Sequence, residues 1–276
     1  MSYKDILVHV DNSKACATRL KIAIDLAEKH GAHLTGIFVI PEIQLPLYDT
    51  GPYPAELFEI EEEYAKKATA EGEETFKKAV DKTDASTEWR AERGDPASVV
   101  EKHARYSDMV IVGQADPEDE TGLGEIADQL VLSLGRPLLV IPYISKGDAF
   151  GKKVMIAWDG GPYATRAAHE AMPFLEAASE VEVVAVNPED AAAGHGEIPG
   201  ADFSLHLARH GVKATAESYS AHDIGVGDLI LSRISDEGVD MLVMGAYGHS
   251  RARELVLGGV TRHVLQHMTV PALMSH

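Results

Sequence analysis

Anion-binding chemistry is concentrated in one stretch of the chain, Val243–Thr261, VMGAYGHSRARELVLGGVT. Its glycines recur as Gly245-x2-Gly248-x9-Gly258-Gly259. The stretch holds four glycines, two arginines, one histidine and a single acid, in a chain with 25 Lys+Arg against 44 Asp+Glu. Glycines let backbone amides approach a ligand closely. A helix opening at Gly258-Gly259 turns its free N–H groups and positive dipole end toward whatever sits there. Ser250 and Thr261 add hydroxyls, His249 a ring, and Arg251 and Arg253 fixed positive charge. Together they suit a polyphosphate. No G-K-[ST] follows, so this is not a P-loop, and the glycines follow a late strand, so it is not a dinucleotide fingerprint.

Positioning such a cradle requires a strand before it and a helix after it. The apolar run Met241–Met244 predicts the strand, and Val260–His267 the helix. In an open parallel sheet, ligands sit beyond the carboxyl ends of the strands. Asp159 closes an earlier strand of the same region and Val186 another, so Asp159, Val186 and Gly245 are expected to face one crevice.

The chain repeats itself, which sets its architecture. KDILVHVDNS (4–13) resembles KKVMIAWDGG (152–161), and SDMVIVG (107–113) resembles VDMLVMG (239–245). LGEIADQLVLSLGRPLLVIPY (123–143) aligns without gaps on LGGVTRHVLQHMTVPALMSH (257–276), setting Gly124 on Gly258 and Pro137 on Pro271. The joint falls near the polar ISKGDAFG (144–151), giving domains over residues 1–145 and 151–276.

Within the first copy, strands are expected at Ile6–Val10, 32–40, 86–94, Met109–Val112 and 138–142. Helices are expected over Lys14–His30, about 55–80, 95–107 and about 124–134. Gly31 is placed to end the first helix, and Asp95-Pro96 to cap and start the third. Alternating strands and helices mean a parallel sheet covered on both faces. The expected fold class is therefore α/β: two tandem doubly wound, Rossmann-like domains, each with a five-stranded parallel sheet.

The first copy lacks the cradle. Residues 112–127 read VGQADPEDETGLGEIA: Gly113 and Gly124 remain, but Asp116 replaces the second glycine, and Glu118, Asp119 and Glu120 follow. Glu125 stands in place of Gly259, and Ala127 in place of Thr261. A carboxylate beside a phosphate costs up to about 4 kcal/mol at 4 Å and an effective dielectric of 20. This copy is not expected to bind a polyphosphate. It also carries an excursion over residues 41–79, where Leu45, Leu47, Tyr48, Tyr53 and Phe58 precede or open a charged helix. The plain expectation there is a loop and a solvated helix; the sharper one is a lid or partner surface.

A net charge of −19 argues against nucleic acid or an anionic membrane as partner. No apolar run approaches membrane-spanning length, and the N-terminus lacks a signal-peptide pattern. The single cysteine, Cys16, lies on the apolar stripe of the first helix and is expected in the core, and a reducing cytoplasm is the expected compartment. His206/His210 and His263/His267 stand one helical turn apart without the accompanying pattern of a metal site, so no metal ligand is assigned. No chemical role is assigned to His9 or Trp158. No nucleophile elbow or catalytic triad is visible, so no catalytic residue is named. Ser13 and Gly161 are expected to begin helices.

Gly-x2-Gly-x9-Gly, preceded by DMLVM and followed by VTRHVLQHMTVPALM, resembles the nucleotide-binding signature of the universal stress protein family. ILVHVDNS, VMIAWDGG and GDPASVVEKHARYSDMVIVG are similar to that family's opening and middle sections, so the resemblance runs through nearly the whole chain, twice. It implies paired five-stranded α/β domains, nucleotide-binding in many members, and ATP, often with a divalent metal such as Mg²⁺, as the ligand. Carried onto this sequence, it implies Asp159 and the Val186 backbone at adenine and ribose. Gly245, Gly248, His249 and Ser250 would lie along ribose and phosphates, and Gly258, Gly259, Val260 and Thr261 would receive the phosphates. The family usually has Ser or Thr where Gly259 stands, which removes a hydroxyl contact worth roughly 0.5–1.5 kcal/mol.

The resulting expectation is an ATP-binding stress-response or regulatory protein that holds nucleotide in its C-terminal domain only. At most it hydrolyses ATP slowly. The two domains pair within the chain, and a homodimer is a further option. The alternatives are a nucleotide-independent, chaperone-like interaction module, and a small-ligand-binding protein using the N-terminal domain.

Overall fold

The computed structural model describes residues 2–40, 55–118, 126–188, 199–221, 223–246 and 258–276. The N-terminal half runs β1 (Asp5–Val10), α1 (Cys16–His30), β2 (His33–Ile40), α2 (Ala55–Val80), β3 (Thr87–Arg93), α3 (Pro96–Ala104), β4 (Met109–Gly113), α4 (Ile126–Ser133) and β5 (Leu138–Ile141). The C-terminal half runs β6 (Lys153–Ala157), α5 (Pro162–Glu170), a one-turn α6 (Met172–Leu175), β7 (Glu180–Val186), α7 (Ala201–Arg209), β8 (Ala214–Tyr219), α8 (Val226–Glu237), β9 (Met241–Gly245), α9 (Gly259–His267) and β10 (Ala272–Ser275).

All ten strands form one sheet in the order β3-β2-β1-β4-β5-β10-β9-β6-β7-β8. Each half contributes five strands, parallel within the half. The halves meet where β5 and β10 pair antiparallel, with Leu139 opposite Leu273, Val140 opposite Ala272 and Leu138 opposite Met274. The repeat alignment that sets Pro137 on Pro271 also sets Leu139 on Leu273. Equivalent residues therefore face each other at the seam, which is the signature of a two-fold, self-complementary interface. The strands near the seam are buried throughout, as continuous apolar runs such as MVIVG require. The outermost strands β3 and β8 carry the polar sequences TEWRAER and ATAESY, suited to sheet edges.

One apolar cluster lies on each face of the sheet, and each runs through both halves. The first joins Leu20 and Ile24 of α1 to Ala167 of α5 and Phe203 of α7. The second joins Val100 of α3 and Leu130 of α4 to Ile230 of α8 and Val264 of α9. Polar contacts also cross between halves. Tyr3 Oη donates to the Glu170 carbonyl at 2.7 Å, and Arg166 Nη2 donates to the Gly135 carbonyl at 2.8 Å. Gln114 Nε2 donates to the Leu265 carbonyl in the last turn of α9 at 2.9 Å.

Local signals mostly act where they stand. Gly31 ends α1 in the left-handed conformation at φ 58°. Asp95 caps α3 by accepting from the Ser98 amide at 2.9 Å, with Pro96 following. Cys16 is buried, and burial pushes its thiol pKa up. Helix α1 begins at Cys16 rather than Lys14, because the Asp11 carboxylate first organises a turn by accepting from the Ser13 amide at 3.0 Å. Ser13 therefore belongs to that turn, whereas Gly161 is the N-cap of α5. Among the described residues no helix is long and apolar enough to cross a membrane.

Helix α2, 26 residues long, is unevenly anchored. Its C-terminal half interlocks with the sheet: Phe76 sits under Gly36, and Phe38 reaches Gly72, each so closely that an added Cβ would lie 2.5 or 2.7 Å from the ring. Its N-terminal half is mostly exposed and overhangs the carboxyl edge of the strands.

Candidate functional site

In the C-terminal half, β9, β6 and β7 lie side by side and parallel, with Ala157 paired to Met244 on one flank and to Val184 on the other. Gly245, Asp159 and Val186 therefore emerge at one sheet edge. This is where the strand order reverses, the usual crevice of an open α/β sheet.

Each of the three is held for a local reason. Asp159 Oδ1 accepts the Gly161 amide at 2.8 Å, closing a turn that hands the chain to α5 with Pro162 in its first turn. Val186 is the last residue of β7. The chain then turns at Asn187, φ 46°, whose Oδ1 accepts the Ala221 amide at 2.6 Å. At Gly245 the first turn of α5 presses against the strand, and an added Cβ would lie 2.6 Å from the Ala164 nitrogen. This glycine admits a helix backbone, a packing role that is separate from ligand approach.

Helix α9 opens beside the end of β9. It starts at Gly259, one residue earlier than the sequence pattern suggests, and Gly258 precedes it without any side-chain cap. Among the described residues no side chain caps the amides of Gly259, Val260 and Thr261. Among the described residues, nothing lies within 4 Å of a Cβ added at Gly259. Thr261 is buried, and its hydroxyl donates to the Ala246 carbonyl at 3.0 Å, pinning the helix start to the end of β9. With its proton used there, the hydroxyl does not replace the one missing at Gly259; Thr261 offers its amide. Gly248, His249 and Ser250, with Arg251 and Arg253, lie outside the described residues. Beside Asp159, the Trp158 ring stacks on Phe203 of α7 at 4.0 Å and 11°.

The N-terminal counterpart has another chemistry. Arg19, eight residues beyond Asp11, is 2% exposed; eight residues beyond Asp159 stands Ala167. Arg19 Nη2 lies 2.8 Å from Asp11 Oδ2, and its Nε donates to the His9 carbonyl at 2.8 Å. Gly113 makes room for the guanidinium, since a Cβ there would lie 2.3 Å from Arg19 Nη1. Burial alone would raise the Asp11 carboxyl pKa, but the Arg19 charge, aided by His9 and Ser13, holds it well below the usual carboxylate range. Burial pushes the His9 imidazole down to about 4, against the pull of Asp11.

His9 therefore makes stability pH-dependent. The unfolded chain takes up a proton near pH 6.5 and the folded chain only near 4, so stability present above 6.5 is lost as pH falls toward 4. The loss expected from this group is roughly 3 kcal/mol. Urea unfolding of the native chain and His9→Leu across that window checks it: the variant should show the shallower decline, and parallel curves would contradict the assignment.

Beyond this cluster opens a cavity of about 780 Å³. Lys14, Asp116 and Glu118 line it. Leu57, Ile60 and Tyr64 of α2 form its outer wall at helical spacing. Phe58, half exposed, is not part of the lining. Leu45, Leu47, Tyr48 and Tyr53 lie outside the described residues, as do Asp119, Glu120, Gly124 and Glu125. The sequence signal for Leu57, Ile60 and Tyr64 is their i, i+3, i+7 recurrence in LFEIEEEY, which the surrounding charges obscure. Arg19 carries a comparable signal, a lone cation among Ala17, Leu20 and Ala23.

The His263 and His267 rings stack at 4.4 Å, whereas the His206 and His210 rings lie 4.8 Å apart and tilted at 58°. Among the described residues no group of three or more His, Cys, Asp or Glu is arranged to hold a metal ion.

Comparison with known proteins places this geometry. The sequence profile of the Universal stress protein family matches residues 2–142 and again residues 151–276. A curated relative, universal stress protein Slr1230 of Synechocystis sp., is 27% identical over 179 residues, a stretch covering 60% of this chain and 57% of that protein. The chain thus spans little more than half the length of this relative. Among solved structures, a universal stress protein from Archaeoglobus fulgidus DSM 4304 superposes with a TM-score of 0.73 at 17% identity, covering 98% of this chain and 95% of that one. A protein of unknown function from Pseudomonas aeruginosa PAO1, PA1789, superposes at 0.61 and 13% identity, covering 99% and 92%. Those structural likenesses bear on the fold alone. With its profile matched twice, in tandem, the chain belongs to the universal stress protein family.

Proposed function

We propose that this protein binds ATP in its C-terminal domain, residues 151–276, and not in its N-terminal domain, residues 1–145, and that it serves a stress-response or regulatory role. The supporting observation is the first turn of α9, capped by no side chain among the described residues and tied by Thr261 to the end of β9 beside the reversal of strand order. Its amides suit the phosphates. Adenine and ribose lie toward Asp159 and the Val186 backbone, and Gly245, Gly248, His249 and Ser250 line the path between. Gly258 and Gly259 bring no side chain into the space a phosphate needs. Mg²⁺ enters bound to the phosphates, a mode in which the ion needs few protein ligands. The N-terminal counterpart presents Asp116 and Glu118 instead. Retention in a cytoplasmic compartment and pairing of two chains are compatible with this role.

No group is assigned as a base for attacking water, so turnover is expected to be slow. Native mass spectrometry of the full chain with Mg-ATP should add one nucleotide mass per chain. No added mass would overturn the proposal, and so would two.

A further inference from the structure

The geometry points to a second ligand site, in the N-terminal cavity, for an apolar small molecule that carries no negative charge and is not a nucleotide. At about 780 Å³ the cavity lies within the usual range for small-molecule pockets. Three features define what it takes.

Its walls are apolar. On the sheet side stand Phe38, Val39 and Ile40, at the carboxyl end of β2, and Ile126 opens α4 nearby. On the other side α2 presents Leu57, Ile60 and Tyr64, with Ala65 and Ala68 deeper along the same stripe. Ile60 and Tyr64 are 66% and 71% exposed, so a stripe at core spacing lies largely in water. The interlocked C-terminal half of α2 fixes this wall in place. A ligand seated against the stripe would remove that surface from water, which is the driving force for binding.

The charges reject anions. Asp11 is matched by Arg19 at 2.8 Å, and Glu61 by Arg93 at 3.1 Å. Among the described residues, that leaves Asp116 and Glu118 against Lys14, a net negative lining. The inner end offers a polar contact without net charge. His9 is 4% exposed and lines the cavity, and its Nδ1 lies 3.8 Å from Asp11 Oδ2, beyond hydrogen-bond distance. Its ring edge suits a ligand hydroxyl or carbonyl.

Fluorescence titration of the full chain with Nile red, an uncharged apolar dye, tests the site, with anilinonaphthalene sulfonate as the anionic control. Nile red should bind saturably, one per chain, and Mg-ATP should not displace it. Ile60→Glu and Tyr64→Ser, both at exposed positions, should each weaken it by about tenfold or more. Reversing the lining with Asp116→Lys and Glu118→Lys should strengthen the anionic dye by about tenfold while leaving Nile red nearly unchanged. Absent binding, binding indifferent to both α2 variants, or displacement by Mg-ATP would each overturn the proposal. Mg-ATP binding measured on Ile60→Glu separates this site from the C-terminal one, since it should not change.

Discussion

Replacing Arg19 by methionine is expected to cost about 3–5 kcal/mol of folding stability. The reason is what the substitution leaves behind. Asp11 is buried, one of its oxygens serves the Ser13 turn, and the other faces the guanidinium at 2.8 Å. Without Arg19 the carboxylate must stay buried and uncompensated or take up a proton, and either outcome is costly. The His9 carbonyl also loses its 2.8 Å donor. Pairing the change with Asp11→Asn should restore much of the loss, because a neutral buried pair avoids the uncompensated charge. Urea unfolding of the three chains measures this. A loss below about 1 kcal/mol for Arg19→Met would show that the pair contributes no more than an exposed salt bridge.

Gly259→Glu is expected to weaken ATP binding strongly and leave the fold intact. Among the described residues nothing lies within 4 Å of an added Cβ, so none of them obstructs the side chain. A carboxylate in the first turn of a helix favours that helix by about 0.3–1 kcal/mol through the macrodipole. The same carboxylate would stand where a phosphate is proposed, and the repulsion reaches about 4 kcal/mol at an effective dielectric of 20. That corresponds to a loss of up to roughly a thousandfold in affinity. The substitution imports Glu125, which the N-terminal copy carries at the aligned place. Equilibrium dialysis with Mg-ATP and urea unfolding together give the answer. Weakened binding with unchanged or raised stability is expected, and native-like affinity would remove the helix start from the site.

The periodic signals carried most of the fold. LVHV, MVIVG and LLVI read as buried strands because fully apolar runs leave few other options, and the tandem repeat set which strands are equivalent. The repeat aligns Leu139 with Leu273, and the structure pairs these two residues, but the alignment alone did not say which strands would meet. Asp159, Val186, Gly245 and the start of α9 were legible as neighbours because each terminates or opens a regular element. Less legible was the reason particular residues are there. Gly113 and Gly245 align, yet one accommodates the Arg19 guanidinium and the other the backbone of α5. Sequence spacing cannot distinguish such packing from ligand approach, because both require only the missing Cβ. Thr261 suggested a free hydroxyl, but a tertiary contact to the Ala246 carbonyl uses it. The cavity was hidden for a similar reason: the excursion pointed to Phe58, while the phase of α2 turns Leu57, Ile60 and Tyr64 inward.

Photoaffinity labelling with azido-ATP and Mg²⁺, followed by peptide mapping of the labelled chain, tests the asymmetry between the two domains most directly. The label is expected on peptides from residues 151–276 near the starts of α5 and α9, competed by unlabelled ATP, and absent from residues 1–145. Competable label on N-terminal peptides around Asp11 or Asp116 would contradict it.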